Sequence, residues 1–139
     1  MSLDMSPVLD ESSKKLTKRE MLSSLAKIYD PLGLIGPSVV QGKIAFQAAC
    51  KEAKGWDIEL SDEVQEKWQR WKKGIRKESQ ISFPRCIAPN KEDIRYHLHV
   101  FADSSKVAYC ATIYLVCELP HQIYSNLVAA KTRLPPLKK

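Results

Sequence analysis

The sequence predicts an α+β fold in which three helices precede a three-stranded antiparallel meander. Two observations lead to this prediction. In three segments between residues 18 and 77, apolar side chains recur every three or four residues, the spacing of helices that bury one face. After residue 95, three runs rich in β-branched and aromatic residues alternate apolar with polar positions, which is typical of strands.

The first helix is predicted over residues 18–30. Thr17 and Glu20 have the spacing of a capping box, and Pro31 ends the helix. Residues 30–37 then form an apolar turn with two prolines and two glycines, which must pack against another part of the chain. The apolar stripe predicted for this helix consists of Met21, Leu22, Leu25, Ile28 and Tyr29.

The second helix is predicted over residues 38–54, with Gly55 as its C-terminal cap. Its Gly42 is unfavourable in a helix interior. The third helix begins at Ser61 or Asp62 and ends near residue 76. The apolar positions predicted for the second helix are Val39, Val40, Ile44, Phe46, Ala48 and Cys50, and those of the third are Val64, Trp68, Trp71 and Ile75.

A short extended piece is predicted at residues 81–85, followed by three strands over residues 95–102, 107–117 and 123–131. A connection at residues 119–122 makes the last two strands a hairpin. The alternation in the first strand allows burial on both faces, with Asp103 projecting where that strand ends.

Composition narrows the class of protein. A chain of 139 residues suits one compact domain, or a small helical module joined to part of another. No apolar run approaches the roughly 20 residues that span a bilayer. Residues 1–16 are polar, which predicts a flexible leader and no signal peptide, and hence an intracellular location, cytoplasmic or nuclear and not secreted. The net charge of +6 suits a partner with phosphates. The four cysteines are predicted to be buried reduced thiols, namely Cys50, Cys86, Cys110 and Cys117.

Asp103 at a strand end is either a turn residue or an active-site carboxylate. A two-metal nuclease needs several carboxylates around ions roughly 4 Å apart, and only Asp103 and Glu118 follow Asp93. An aspartic peptidase normally has Gly two residues after its Asp, and here Ser105 takes that place.

His97 and His99 are two residues apart on one face of the first strand and could bind a metal. A third ligand is not evident near them in the sequence, so histidines with a structural role are favoured. No feature of the sequence indicates a small-molecule substrate.

Several blocks of the sequence, in one order, resemble the Pol polyproteins of BEL/Pao-type retrotransposons. The blocks are residues 17–34 (TKREMLSSLAKIYDPLGL), residues 99–109 (HVFADSSKVAY) and residues 127–138 (LVAAKTRLPPLK), with Trp56, Asp57, Trp68 and residues 83–85 between them. The resemblance extends over nearly everything from Thr17 onward. The family's domain carries the name Pao retrotransposon peptidase, although its region lies downstream of the polymerase core of the reverse transcriptase and runs into ribonuclease H.

The resemblance implies that residues 17–90 correspond to the helical thumb and connection of a reverse transcriptase, and residues 91–139 to the first three strands of a ribonuclease H domain. Asp103 then matches the first metal-binding carboxylate. In that fold the second carboxylate is a Glu on the helix after the third strand, and the 139 residues do not include it. The Mg²⁺ ions of a complete site, and catalysis with them, are therefore not expected of this chain alone.

We therefore expect a fragment or truncated derivative of a Pol polyprotein that is non-catalytic alone, needs no cofactor and contacts an RNA–DNA or DNA template-primer duplex without reading its sequence. One alternative is a protein interaction module that pairs through unpaired sheet edges, including self-association. Another is the peptidase that the family name suggests. The cations that we expect to contact phosphates are Lys67, Arg70, Lys72, Lys73 and Arg76.

Overall fold

The computed structural model describes residues 2–4, 16–52, 55–76, 80–82, 86–90 and 92–137. Within these residues, three helices precede a three-stranded antiparallel sheet whose strands pair in chain order, which confirms the α+β prediction. Ser2–Asp4, within the predicted leader, pairs with Gln80–Ser82 in a separate two-stranded sheet, and residues 5–15 lie outside the described residues. The elements are β1 (Ser2–Asp4), α1 (Lys18–Ala26), α2 (Gly36–Lys51), α3 (Asp62–Arg76), β2 (Gln80–Ser82), β3 (Arg95–Ser104), β4 (Tyr109–Leu119) and β5 (Gln122–Arg133).

The chain divides into two compact units. The sheet unit consists of Phe83–Pro135 together with the loop Asp30–Gly36, which we call the docking loop. The helical unit consists of Ser2–Tyr29, Pro37–Ser82 and Pro136–Lys139.

Helix α1 has the predicted capping box. The backbone N–H of Glu20 donates to the Thr17 hydroxyl at 3.3 Å, and the N–H of Thr17 donates to the Glu20 carboxylate at 3.0 Å. The helix ends at Ala26, four residues before the predicted end. Tyr29 therefore lies beyond the helix and is 73% exposed, so its predicted place in the apolar stripe is wrong. Leu22, which is 44% exposed, is also outside the buried stripe.

An exposed ion pair joins the start of α1 to the segment before α3. The Arg19 guanidinium donates two hydrogen bonds to the Asp57 carboxylate, at 2.6 and 3.0 Å. This hydrogen-bonded cation lowers the pKa of Asp57, and the carboxylate raises the pKa of Arg19. Because the pKa of Asp57 is lower in the folded chain, the pair stabilises the fold at neutral pH and loses its contribution as the pH falls through that pKa.

Helices α2 and α3 pack through small residues on one and tryptophans on the other. The predicted stripe of α3 is confirmed: Val64, Trp68, Trp71 and Ile75 are all at least 93% buried. The stripe predicted for α2 is only partly right, because α2 buries Val40, Gly42, Ala45 and Ala49, while Val39, Ile44, Phe46, Ala48 and Cys50 are half-buried.

The buried face of α2 differs from the prediction because of the bulk of Trp71. A Cβ atom on Gly42 would lie 2.6 Å from the Trp71 ring, so only glycine lets the helices approach this closely. The indole N–H of Trp71 donates to the Ser38 carbonyl at 2.7 Å. The predicted cap Gly55 is wrong, since α2 ends at Lys51.

Strands β3, β4 and β5 form a meander, as predicted. Each is longer than predicted or shifted by about two residues, and β3 continues through Ser104. The β3–β4 turn is held by Ser105, whose hydroxyl accepts from the backbone N–H of Ala108 at 3.1 Å. A β-bulge interrupts the pairing of β4 with β5: Ile113 pairs with Ala129 and Tyr114 with Leu127, so Val128 has no partner on β4.

The register assigns every sheet side chain to one of two faces, because residues paired directly across strands point the same way. The Asp103 face carries the row Asp103, Cys110 and Thr132. The Lys131 face carries the rows Ser104, Tyr109 and Arg133, and Ala102, Ala111 and Lys131.

The predicted burial of the first strand is wrong. All ten residues of β3 are exposed, including Leu98 at 67% and Val100 at 64%. Strand β3 is an edge strand, and within the described residues neither of its faces is covered. The predicted burial of all four cysteines is also wrong: they are free thiols, but only Cys117 is buried and Cys86 is exposed.

The docking loop packs on β5. The sequence predicted that this loop packs against another part of the chain but did not identify that part. The Asp30 carboxylate accepts the N–H groups of Leu34 and Ile35 at 2.9 and 3.0 Å, which folds the loop on itself. The Leu32 carbonyl accepts the Ala130 N–H at 2.6 Å on the outer edge of β5. Gly33 has φ of 74°, and a Cβ atom there would collide with the Ala130 carbonyl oxygen. Only glycine satisfies both constraints.

We predict that Gly33→Ala lowers the free energy of unfolding by at least about 2 kcal/mol, because it adds left-handed backbone strain to a collision with backbone. The measurement is chemical denaturation followed by circular dichroism.

Gly74→Ala is the matched control, because a Cβ atom on Gly74 meets nothing within 4 Å. Alanine in this helix interior should instead stabilise the chain by about 0.5–1 kcal/mol. Equal stability of Gly33→Ala and the unaltered chain would contradict the described loop.

Candidate nucleic-acid interface

Two of the five cations predicted to contact phosphates lie together. Lys67 and Arg70 line a cavity of about 500 Å³ between α2 and α3, whose apolar floor includes Ile44 and Trp71. Gly74 also lines it and presents no side chain to its opening. The helical unit therefore has a groove with an apolar floor and a basic rim.

Each of these cations already has an acidic neighbour one turn earlier. Lys67 pairs with Glu63 at 2.6 Å and Arg70 with Glu66 at 2.8 Å, and all four side chains are largely exposed. The rim of the groove is thus a set of alternating charges, and its positive potential is smaller than the cations alone would give.

Two of the other cations, Lys72 and Lys73, do not line this groove. Because successive helical residues turn by about 100°, Lys72 lies about 160° around α3 from Arg70. Lys72 is half-buried and makes further interactions, while Lys73 is exposed. The backbone of Arg76 closes α3, and its side chain lies outside the described residues.

Asp103 lies within β3, one residue before its end, and not beyond the strand as predicted. Its carboxylate accepts the backbone N–H of Ser104, the next residue, at 2.8 Å. The side chain points to the face that it shares with Cys110 and Thr132.

The residues around Asp103 do not fit a two-metal site. Asp103 pairs with Cys110, and Glu118 is eight residues farther along β4, about 27 Å away. Glu118 instead contacts the His97 ring at 3.2 Å. Across the described part of the chain, no three His, Cys, Asp or Glu side chains are grouped so that they could hold an ion.

A second cavity, of about 510 Å³, lies at the end of the sheet where Asp103 stands. Lys131 and Arg133 line it, and they belong to the face opposite the Asp103 side chain. Neither was among the residues predicted from the sequence. The available signal was their spacing of two residues, which places two cations on one face of a strand, but the predicted strand ended at Lys131 and did not include Arg133.

No helix in the described ranges has the length and apolar character needed to cross a bilayer. Searches among curated proteins and among solved structures gave no significant match.

The helices and the antiparallel meander define an α+β protein. The family described as the Pao retrotransposon-like RNaseH-like domain matches residues 17–139, and the chain belongs to this family. It is thus a region of a Pao-type retrotransposon Pol protein, as the sequence resemblance predicted. This description names a ribonuclease H-like domain, and the peptidase activity that the name Pao retrotransposon peptidase suggests stays a prediction.

Proposed function

We propose that this chain contacts the phosphates of an RNA–DNA or DNA duplex through α3, without reading sequence and without cleaving the duplex. The observation that carries the proposal is the groove between α2 and α3. Its rim brings Lys67 and Arg70 together, and Gly74 leaves room for a backbone to approach. The net charge of +6 adds a general attraction for a polyanion.

The ion pairs of Lys67 and Arg70 do not prevent phosphate binding. Exposed pairs spaced four residues apart on a helix stabilise it by only about 0.3–0.5 kcal/mol. A phosphate that displaces the carboxylates of Glu63 and Glu66 therefore loses little. It gains charge-assisted hydrogen bonds and the release of condensed counterions.

We predict that neutralising the cations of these ion pairs and neutralising their carboxylates have opposite effects on the affinity for a duplex. Lys67→Gln with Arg70→Gln should weaken binding to an RNA–DNA hybrid and lower the slope of log K against log salt by about 1.8, since two phosphate contacts are lost. Glu63→Gln with Glu66→Gln should tighten binding, because no carboxylate then competes for the cations. Fluorescence anisotropy with a labelled hybrid at several KCl concentrations measures both.

The same hybrid tests the absence of cleavage. We expect no strand scission by the 139-residue chain in Mg²⁺ or Mn²⁺, because no second carboxylate of the described residues is grouped with Asp103 to hold the ions. Scission that disappears in Asp103→Asn would overturn the non-catalytic part of the proposal. No affinity for the hybrid even at low salt would overturn the binding part.

A second candidate function is self-association through the free edge of β3. This strand has ten exposed residues, and no other strand in the described ranges pairs with that edge. Antiparallel pairing of two copies about His99 would place Arg95 opposite Asp103 of the second copy, twice per dimer. The same register would place Leu98 opposite Val100, both exposed in the single chain.

This register makes a charge-swap prediction. Arg95→Asp should weaken the dimer at least tenfold, because like charges would face each other at both ends of the paired strands. Adding Asp103→Arg should restore association. Sedimentation equilibrium measures the monomer–dimer constant, and a monomeric unaltered chain at 100 µM or equal dimerisation of all three chains would exclude this candidate.

A further inference from the structure

We infer that the cleft at the end of the sheet, on the Lys131 face, binds a phosphate group of a nucleic-acid strand. The inference rests on the proposed function for the kind of partner, but its residues are separate from α3. The cleft is the cavity of about 510 Å³ described above, and four of its side chains can donate hydrogen bonds to an anion. These are Ser104, Tyr109, Lys131 and Arg133.

The strand register brings these four groups together. Ser104 pairs directly with Tyr109, and Tyr109 pairs directly with Arg133, so one hydroxyl from each of two strands stands in a row with the guanidinium. Cβ atoms of directly paired residues lie about 4.5–5.5 Å apart. Lys131 is two residues from Arg133 on the same strand and therefore on the same face.

Small residues supply the space. The row next to Tyr109 consists of Ala102, Ala111 and Lys131, so the two positions beside Lys131 on the neighbouring strands carry only methyl groups. The cavity lies above these alanines. A phosphate placed there meets cations on one side and hydroxyl groups on the other, with no bulky side chain from the alanine row.

Charge favours an anion in this cleft. Lys131 and Arg133 are exposed, and neither has a carboxylate partner within the described ranges, unlike Lys67 and Arg70. Asp103 also lines the cavity, but the register places its side chain on the other face, where its carboxylate accepts the Ser104 N–H. Two cations without a local counterion are the arrangement that binds a backbone phosphate without reading bases.

The first experiment uses inorganic phosphate and the full chain, and does not depend on duplex binding. In a ¹H–¹⁵N titration, amide shifts should be confined to Ser104, Tyr109 and 131–133, and Lys131→Gln with Arg133→Gln should abolish them. Lys131→Arg with Arg133→Lys should keep them, because both charges remain. Absent shifts, or equal shifts in the Gln variant, would overturn the inference.

The second experiment separates a backbone phosphate from a free one. With a labelled RNA–DNA hybrid, the Lys131→Gln, Arg133→Gln chain should show a salt slope lower by about 1.8 than the unaltered chain. The control variant Lys27→Gln with Lys51→Gln loses the same charge at exposed positions elsewhere and should change the slope much less. If phosphate shifts occur but the slope equals that of the control, the cleft binds free phosphate only and the nucleic-acid inference is wrong.

The two proposals fail differently. If only the α3 variant has the same salt slope as the unaltered chain, phosphate binding in the groove of α3 is excluded and the proposed cleft on the sheet is not affected. Loss of the slope change in the sheet variant alone has the reverse meaning. The circular dichroism spectrum of each variant should match that of the unaltered chain, since all substituted side chains with described surroundings are at least partly exposed.

Discussion

The contact between Gly33 and Ala130 is the constraint on which the sheet unit depends. Gly33 combines a left-handed backbone with a position against the Ala130 backbone, where any side chain would collide. Residues of the docking loop thereby occupy the outer edge of β5, and the Leu32 carbonyl uses an N–H that would otherwise be unpaired there. The block DPLGL, which resembles the retrotransposon family, is thus explained by packing and requires no role in chemistry.

This contact also orients the cations of β5. Ala130 and Thr132 meet Gly33 and Gly36 on the side of the docking loop, so the residues between and after them, Lys131 and Arg133, point to the other face. A slip of one residue would exchange the two sets. The loop therefore sets the face on which the proposed phosphate cleft can form, although it contributes no residue to that cleft.

The buried face of α3 was predictable because the helical spacing of its apolar residues alone determines it. Val64, Trp68, Trp71 and Ile75 follow helical spacing, and all four are buried. Helix α2 was less predictable because its contact surface depends on Trp71 of another helix. Gly42 is unfavourable in a helix interior, but its lack of a side chain leaves the space that the Trp71 ring occupies. Local spacing does not reveal such a long-range contact.

The candidate sites show the same limit. The strand carrying Asp103 and its place near a strand end were predictable from alternation, but the exposure of all of β3 depends on which elements cover it. The bulge at Val128 had no clear signal in the sequence. If side chains alternated between the two faces without interruption from Ile123, Lys131 would lie on the face of Asp103. The extra residue of the bulge shifts the alternation by one, so Lys131 lies on the opposite face. The two cations and the carboxylate are therefore on opposite faces.

Native-state hydrogen exchange at the Ala130 amide tests the central contact most directly. Thr132 is the internal reference, because its amide faces the same outer edge and has no acceptor there within the described ranges. If the docking loop packs as described, the Ala130 amide exchanges far more slowly than the Thr132 amide, at a rate close to that of the inner amides of β4. Equal, fast exchange at Ala130 and Thr132 would contradict the docking of the loop, and with it the orientation of Lys131 and Arg133.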